Sequence, residues 1–255
     1  MKLHCVAIVT ALLTAAVNGL PASADEADFE TLEHKGTDDA VLKYRLLKPE
    51  VEAGSDKLHP LLVFLHGAGE RGSDNKAQLQ WGAEMMRSAA KTHGAFVLVP
   101  QCPKGQKWAE VDWSKQTHKM PEKASGPFGL TMQVIAKMQK ELPIDPKRLY
   151  IMGLSMGGYG TWDAVQRYPD TFAAAVPICG GGDETAADRI KTPIWAFHGG
   201  ADGVVPVERS RKMIEAIKKA GGKPKYTEYP GVGHNSWSEA FKDPELLKWL
   251  FSHPK

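Results

Sequence analysis

The chain has 255 residues, of which 24% are charged, with 32 basic against 30 acidic side chains and a formal net charge of +2. That balance gives no electrostatic case for nucleic acid or for an anionic membrane surface as partner. Hydrophobic residues at 42% and the length suit one sizeable globular domain.

The first 24 residues read as a secretory signal. Lys2 precedes an apolar run from about Cys5 to Val17, and Ala22-Ser23-Ala24 supplies a small-residue cleavage site. The run is too short for a bilayer, which takes roughly 20 residues, and no lipobox-like stretch precedes Cys5. The expected mature chain is therefore 25–255, a single domain, secreted or periplasmic, without stable membrane insertion. It keeps two cysteines, Cys102 and Cys179. In an oxidising compartment they form either one disulfide or two separate buried thiols, and spacing does not decide between them.

In chain order, "FETLEHK" and "AVLKYRLLKP" predict two strands joined by the turn-like "GTDD". "HPLLVFLHG" is wholly apolar, as a strand buried on both faces must be. "KAQLQWGAEMMRSAAKTHG" has helical spacing and ends at Gly94. "AFVLVPQ" is a second buried strand, followed by a long irregular stretch holding Trp108 and Trp113. Helix "LTMQVIAKMQKELP", strand "RLYIMG", a helix from Met156 to Arg167, and strands "FAAAVPICG" and "PIWAFHGG" come next. "PVERSRKMIEAIKKAGG" is a helix, "KYTEYPG" a last strand, and "SEAFKDPELLKWLFSHP" a closing helix. There are no internal repeats. Strands alternating with helices predict an α/β fold: a mostly parallel sheet, helices on both faces, and an antiparallel N-terminal edge.

Gly153-Leu154-Ser155-Met156-Gly157 fits G-x-S-x-G between a buried strand and a helix, the setting a nucleophile elbow requires. The bland alternative is a helix-capping serine. A serine hydroxyl needs a base, and the base needs an acid to orient it. With this elbow both follow the serine, acid first and histidine second, on loops after strands. His234 in "PGVGHNSW" stands where the base belongs; His198 and His253 do not. Asp202 in "FHGGADGVVP" is the preferred acid and Asp183 in "CGGGD" its rival. An oxyanion would be held by the amide of Met156 and by one from the loop "HGAGERG", Ala68 first and Gly67 as its neighbour. His66 and Glu70 lack a third ligand at metal spacing, so His66 is read as shaping its own loop. No metal or cofactor is called for.

These segments together resemble the α/β-hydrolases. More narrowly, "FLHGAGERG", "VPQCP", "GLSMGGYGTW", "PICGGGD", "FHGGADGVVP" and "GVGHNSW" resemble secreted carboxylesterases. These are the phospholipase/carboxylesterase, dienelactone-hydrolase-like and polyhydroxybutyrate-depolymerase or feruloyl-esterase-like families. The resemblance covers about Leu58 to the C-terminus. It implies Ser155, Asp202 and His234 as nucleophile, acid and base. Dienelactone hydrolases proper carry a cysteine at the elbow, where this chain has serine. Only about a dozen residues separate the strands flanking "GGDETAADRIKT", an ordinary loop length, so no large lid is expected. An open site suits short-chain or aromatic esters, small or displayed on a polysaccharide. Trp108, Trp113 and Trp237 are candidates for stacking on substrate, or for pinning their loops; Gln101 and Glu70 are candidate polar contacts. The alternatives are a serine peptidase of the prolyl-oligopeptidase type and a non-catalytic binding protein on a hydrolase scaffold.

Overall fold

The structure is a computed structural model, and it describes residues 27–37, 39–52, 54–113 and 115–255. The expected signal segment, 1–24, lies outside the described residues.

Eight strands form one sheet: β1 (Phe29–Lys35), β2 (Val41–Leu47), β3 (His59–Leu65), β4 (Phe96–Gln101), β5 (Ile144–Leu154), β6 (Ala174–Ile178), β7 (Trp195–Gly199) and β8 (Lys225–Tyr229). Their order is β1-β2-β4-β3-β5-β6-β7-β8. β1 pairs antiparallel with β2, and β2 with β4; every other pairing is parallel. The predicted α/β architecture with an antiparallel N-terminal edge is therefore what the chain adopts.

Why the central strands are wholly apolar follows from the two layers that cover them. Side chains alternate across a strand, so Leu61, Val63 and Leu65 of β3 enter one core and Leu62 and Phe64 the other. The first core is closed by α2 (Gly126–Glu141), α3 (Met156–Arg167) and α4 (Glu208–Lys219) through Val134, Trp162 and Met213. The second is closed by α1 (Ala83–His93), α5 (Trp237–Ala240) and α6 (Leu246–Phe251) through Met86, Ala240 and Leu250. Among the described residues no helix is long and apolar enough to cross a membrane.

Two predicted helices are broken. The span 76–94 holds a 3-10 turn at Ala77–Leu79 and then α1, because Gly82 adopts φ +77° and restarts the helix. That region of φ is open to glycine without strain. The closing helix splits into α5 and α6 around Pro244, whose ring cannot continue a helix from α5. α2 begins earlier than its apolar spacing indicated. Ser125 Oγ accepts from Phe128 N at 3.3 Å, and Pro127 sits in the first turn.

Cys102 and Cys179 are both buried and free. Burial pushes the Cys102 thiol up to about 12 and that of Cys179 higher still. For residues 25–255 purified without reductant, both thiols are expected to ignore Ellman's reagent until guanidinium unfolds the chain, and then to react. Finding no titratable thiol after unfolding would contradict the free pair.

Candidate active site

The turn from β5 into α3 sets the position of Ser155. Its backbone has φ +52° and ψ −114°, a conformation that non-glycine residues rarely hold and that needs its surroundings to enforce it. The enforcement comes from glycines. A Cβ at Gly153 would lie 2.3 Å from Gly157 O, and one at Gly157 would lie 1.9 Å from Leu65 O. The Ser155 amide donates to Ile178 O at 2.9 Å, tying the turn to β6. Ser155 occupies the N-cap position of α3, yet its side chain makes no capping hydrogen bond. The capping role weighed from sequence is not the one the hydroxyl takes.

That hydroxyl instead lies 2.9 Å from His234 Nε2, and His234 Nδ1 lies 2.7 Å from Asp202 Oδ2. A carboxylate at Nδ1 fixes the neutral tautomer with hydrogen on Nδ1, leaving Nε2 to accept from Ser155. The loops carrying Asp202 and His234 are laced together. Gly200 N donates to Tyr229 O at 2.9 Å and Ala201 N to Val232 O at 3.0 Å. A Cβ at Gly199 would meet Gly233 O at 2.2 Å, so only glycine allows this approach.

Asp202 has no exposed side-chain surface. Burial alone raises a carboxyl, but hydrogen bonds from His198, His234 and the amides of Val205 and Val204 outweigh it. They hold Asp202 well below the usual carboxylate range. His198 was passed over in the sequence because it precedes the acid. Its Nε2 lies 3.0 Å from Val205 O and 3.3 Å from Asp202 Oδ2, so it braces the same carboxylate oxygen that His234 Nδ1 approaches. Asp183, the rival acid, is spent elsewhere. Its Oδ1 accepts from Thr185 N at 2.9 Å and its Oδ2 from Met120 N at 2.9 Å, which caps one turn and anchors the long loop.

Met156 and Ala68 are each the first residue of a helical turn, so neither amide has an acceptor within its own turn. Both line the same pocket as Ser155, as does Gly67. His66 shapes that loop. Its Nδ1 donates to Gly67 O at 2.6 Å, its Nε2 accepts from Cys102 N at 2.9 Å, and burial lowers its pKa to about 4, which keeps it neutral.

The pocket has a volume of about 300 Å³. Of the residues named from the sequence as candidate substrate contacts, Glu70, Trp113 and Trp237 line it. Trp108 and Gln101 do not. Trp108 is fully buried and donates from Nε1 to His66 O at 3.0 Å, so it pins the long loop beneath the site. Gln101 is 1% exposed and ties Asn75 N, Glu70 O and Asp74 together. Trp81 and Tyr159 also line the pocket and were not singled out; Trp81 was hidden inside what read as one continuous helix.

One group among the described residues is spaced as metal ligands: Cys179, Asp202 and His234, with ligand atoms within 4.8 Å of one another. Both ring nitrogens of His234 and both oxygens of Asp202 already have protein partners. The hydrogen-bond chain accounts for this cluster without an ion.

The depressed pKa of Asp202 has a stability consequence. A carboxyl whose folded pKa lies below its unfolded value of about 3.9 stabilises the fold above that value and loses the contribution as pH falls through the folded pKa. Wild type is therefore expected to unfold at higher urea than Asp202→Asn at pH 7, with the gap narrowing below about pH 4. A gap that stays constant down to pH 3 would contradict the ionised, braced carboxylate.

Residues 46–246 match the family model described as Phospholipase/Carboxylesterase. A probable carboxylesterase from Oryza sativa subsp. japonica is 27% identical over 231 residues, covering 84% of this chain and 85% of that protein. A bifunctional acetylxylan esterase/xylanase from Neocallimastix patriciarum is 29% identical over 139 residues, 54% of this chain and 18% of its own length. The crystal structure of a thermostable esterase superposes with a TM-score of 0.82 at 40% identity, over 90% of this chain and 64% of that one. The chain thus spans just under two thirds of that solved esterase. With the matched model reaching from β2 to the start of α6, the chain belongs to the phospholipase/carboxylesterase family and is a carboxylic ester hydrolase.

Proposed function

We propose that the protein is an exported serine esterase acting on short-chain or aromatic carboxylic esters, small or linked to a polysaccharide. The observation that carries the reading is the unbroken chain from Ser155 Oγ through His234 to Asp202, at 2.9 Å and 2.7 Å. In the cycle this supports, Ser155 Oγ attacks the ester carbonyl carbon while His234 Nε2 takes its proton. Asp202 stays ionised and stabilises the imidazolium. The amides of Met156 and Ala68 receive the oxyanion, aided by the positive end of α3. Collapse breaks the carbon–oxygen bond to the alcohol, which leaves with the proton from His234. Water then repeats the sequence on the acyl-enzyme and releases the acid.

The size of the pocket supports a small substrate, since about 300 Å³ lies at the lower end of ligand sites. Between β6 and β7 there is only a short 3-10 helix, Glu184–Arg189, and no cap that would exclude a polymer. The acetylxylan esterase among the relatives supports polysaccharide-linked acetyl groups as one substrate class. Export rests on the Ala22-Ser23-Ala24 cleavage signal after an apolar run.

The test is hydrolysis of p-nitrophenyl and methyl esters of acetyl, butyryl, octanoyl and feruloyl groups by residues 25–255, with Ser155→Ala alongside. Wild type is expected to prefer acetyl, butyryl or feruloyl over octanoyl. Ser155→Ala should lower kcat by roughly 10⁴-fold or more while the protein stays folded. A variant within tenfold of wild type would remove Ser155 from the chemistry.

A further inference from the structure

The pocket at Ser155 is not lined evenly. Leu154, Val204 and Val205 contribute apolar surface. A second group starts at His234, whose ring meets Trp237 nearly at right angles, with centroids 5.4 Å apart. Trp237 meets Trp81 at 5.8 Å, and Trp81 Nε1 donates to Glu70 Oε1 at 3.1 Å. All four residues line the pocket. In the esterase cycle His234 protonates the departing alcohol, so that alcohol must leave beside His234 and the indoles packed against it.

The two ends of this group differ in kind. Trp81 is 36% exposed, the most open tryptophan among the described residues. Glu70 is 6% exposed, and its Oε2 has no hydrogen-bond partner. His66 Nδ1 is 4.0 Å away and gives its hydrogen to Gly67 O, while the backbone amides of Gly67 and Glu70 face the carboxyl and partly offset its burial. Burial raises the Glu70 carboxyl above its ordinary range. An unpaired buried oxygen is costly, and here it belongs to a residue of the substrate pocket.

Three ligand chemistries suit a pair of tryptophans. An aryl ring would cover Glu70 and leave Oε2 unpaired. A quaternary ammonium would gain from the indoles, but it would share the pocket with Trp113, over whose ring Arg71 and Lys107 already lie at 5.8 Å and 5.0 Å. A sugar ring offers C–H faces to the indoles. Its hydroxyls pair with a carboxyl whether that group is ionised or protonated.

We propose that Trp81, Trp237 and Glu70 form the leaving-alcohol subsite, and that the alcohol it takes is a sugar carrying a free hydroxyl beside the ester. This rests on the esterase reading of Ser155 and names its substrate class more narrowly. Trp81 supplies the stacking face, Trp237 holds that face against the base, and Glu70 reads the hydroxyl.

The experiment compares wild type, Trp81→Ala and Glu70→Gln on ethyl acetate, phenyl acetate, acetylcholine and a monoacetylated methyl xyloside. Both substitutions are expected to lower kcat/KM for the sugar ester about tenfold more than for ethyl acetate, mainly through KM. Methyl xyloside should also compete with ethyl acetate in wild type and not in Trp81→Ala, a readout that does not depend on Glu70→Gln folding well. Equal losses on all four esters would mean that the two residues only hold the oxyanion loop in shape, and would overturn the subsite. So would losses confined to phenyl acetate or acetylcholine, or a wild type that cleaves ethyl acetate but not the sugar ester. A wild type inert toward all four would instead remove the esterase reading on which the subsite stands.

Discussion

A Cβ on Gly157 would sit 1.9 Å from the carbonyl of Leu65, and one on Gly158 2.3 Å from that of Ile178. The start of α3 is thus in backbone contact with the ends of both β3 and β6. Because α3 can come this close, Ser155 is lifted out of the β5–α3 turn at φ +52°, and the amide of Met156 ends up in one pocket with that of Ala68. A side chain at either glycine would move the helix away and carry the Ser155 hydroxyl and the Met156 amide away from Ala68. The strain at Ser155 is kept because three strands and a helix over-determine it.

The second dependence is electrostatic. The Asp202 side chain has no exposed surface, so its charge persists only because both oxygens are occupied: Oδ1 by the amides of Val204 and Val205, Oδ2 by His234 with His198 nearby. These donors come from one tight loop after β7, from the end of β7 itself and from the loop after β8. The lacing of Gly200 and Ala201 to Tyr229 and Val232 makes the two loops one unit. The orientation of the His234 ring is therefore a property of the sheet edge rather than of a single contact.

Much of this was legible from the residues. Doubly buried strands show as runs such as "PLLVFL", and glycines flanking Ser155 announce a turn too tight for side chains. The order of acid and histidine follows once the strand–turn–helix setting is recognised. What stayed hidden depends on three-dimensional packing. Trp108 and Trp113 are equivalent in the sequence, yet one is buried against His66 in the loop after β3 and the other reaches the pocket. Nothing local distinguishes them. Trp81 was masked by helical spacing that Gly82 interrupts, and Gln101 by a polarity spent on internal loop bonds. His198 needed the loop to fold back before its proximity to Asp202 existed.

The central claim is that Ser155 becomes covalently acylated with His234 as its base. Trapping the enzyme with a fluorophosphonate and locating the adduct by peptide mass spectrometry tests it most directly. The account predicts stoichiometric modification of Ser155, lost in Ser155→Ala and strongly slowed in His234→Ala. Labelling at another residue, or at Ser155 with a rate indifferent to His234, would contradict it.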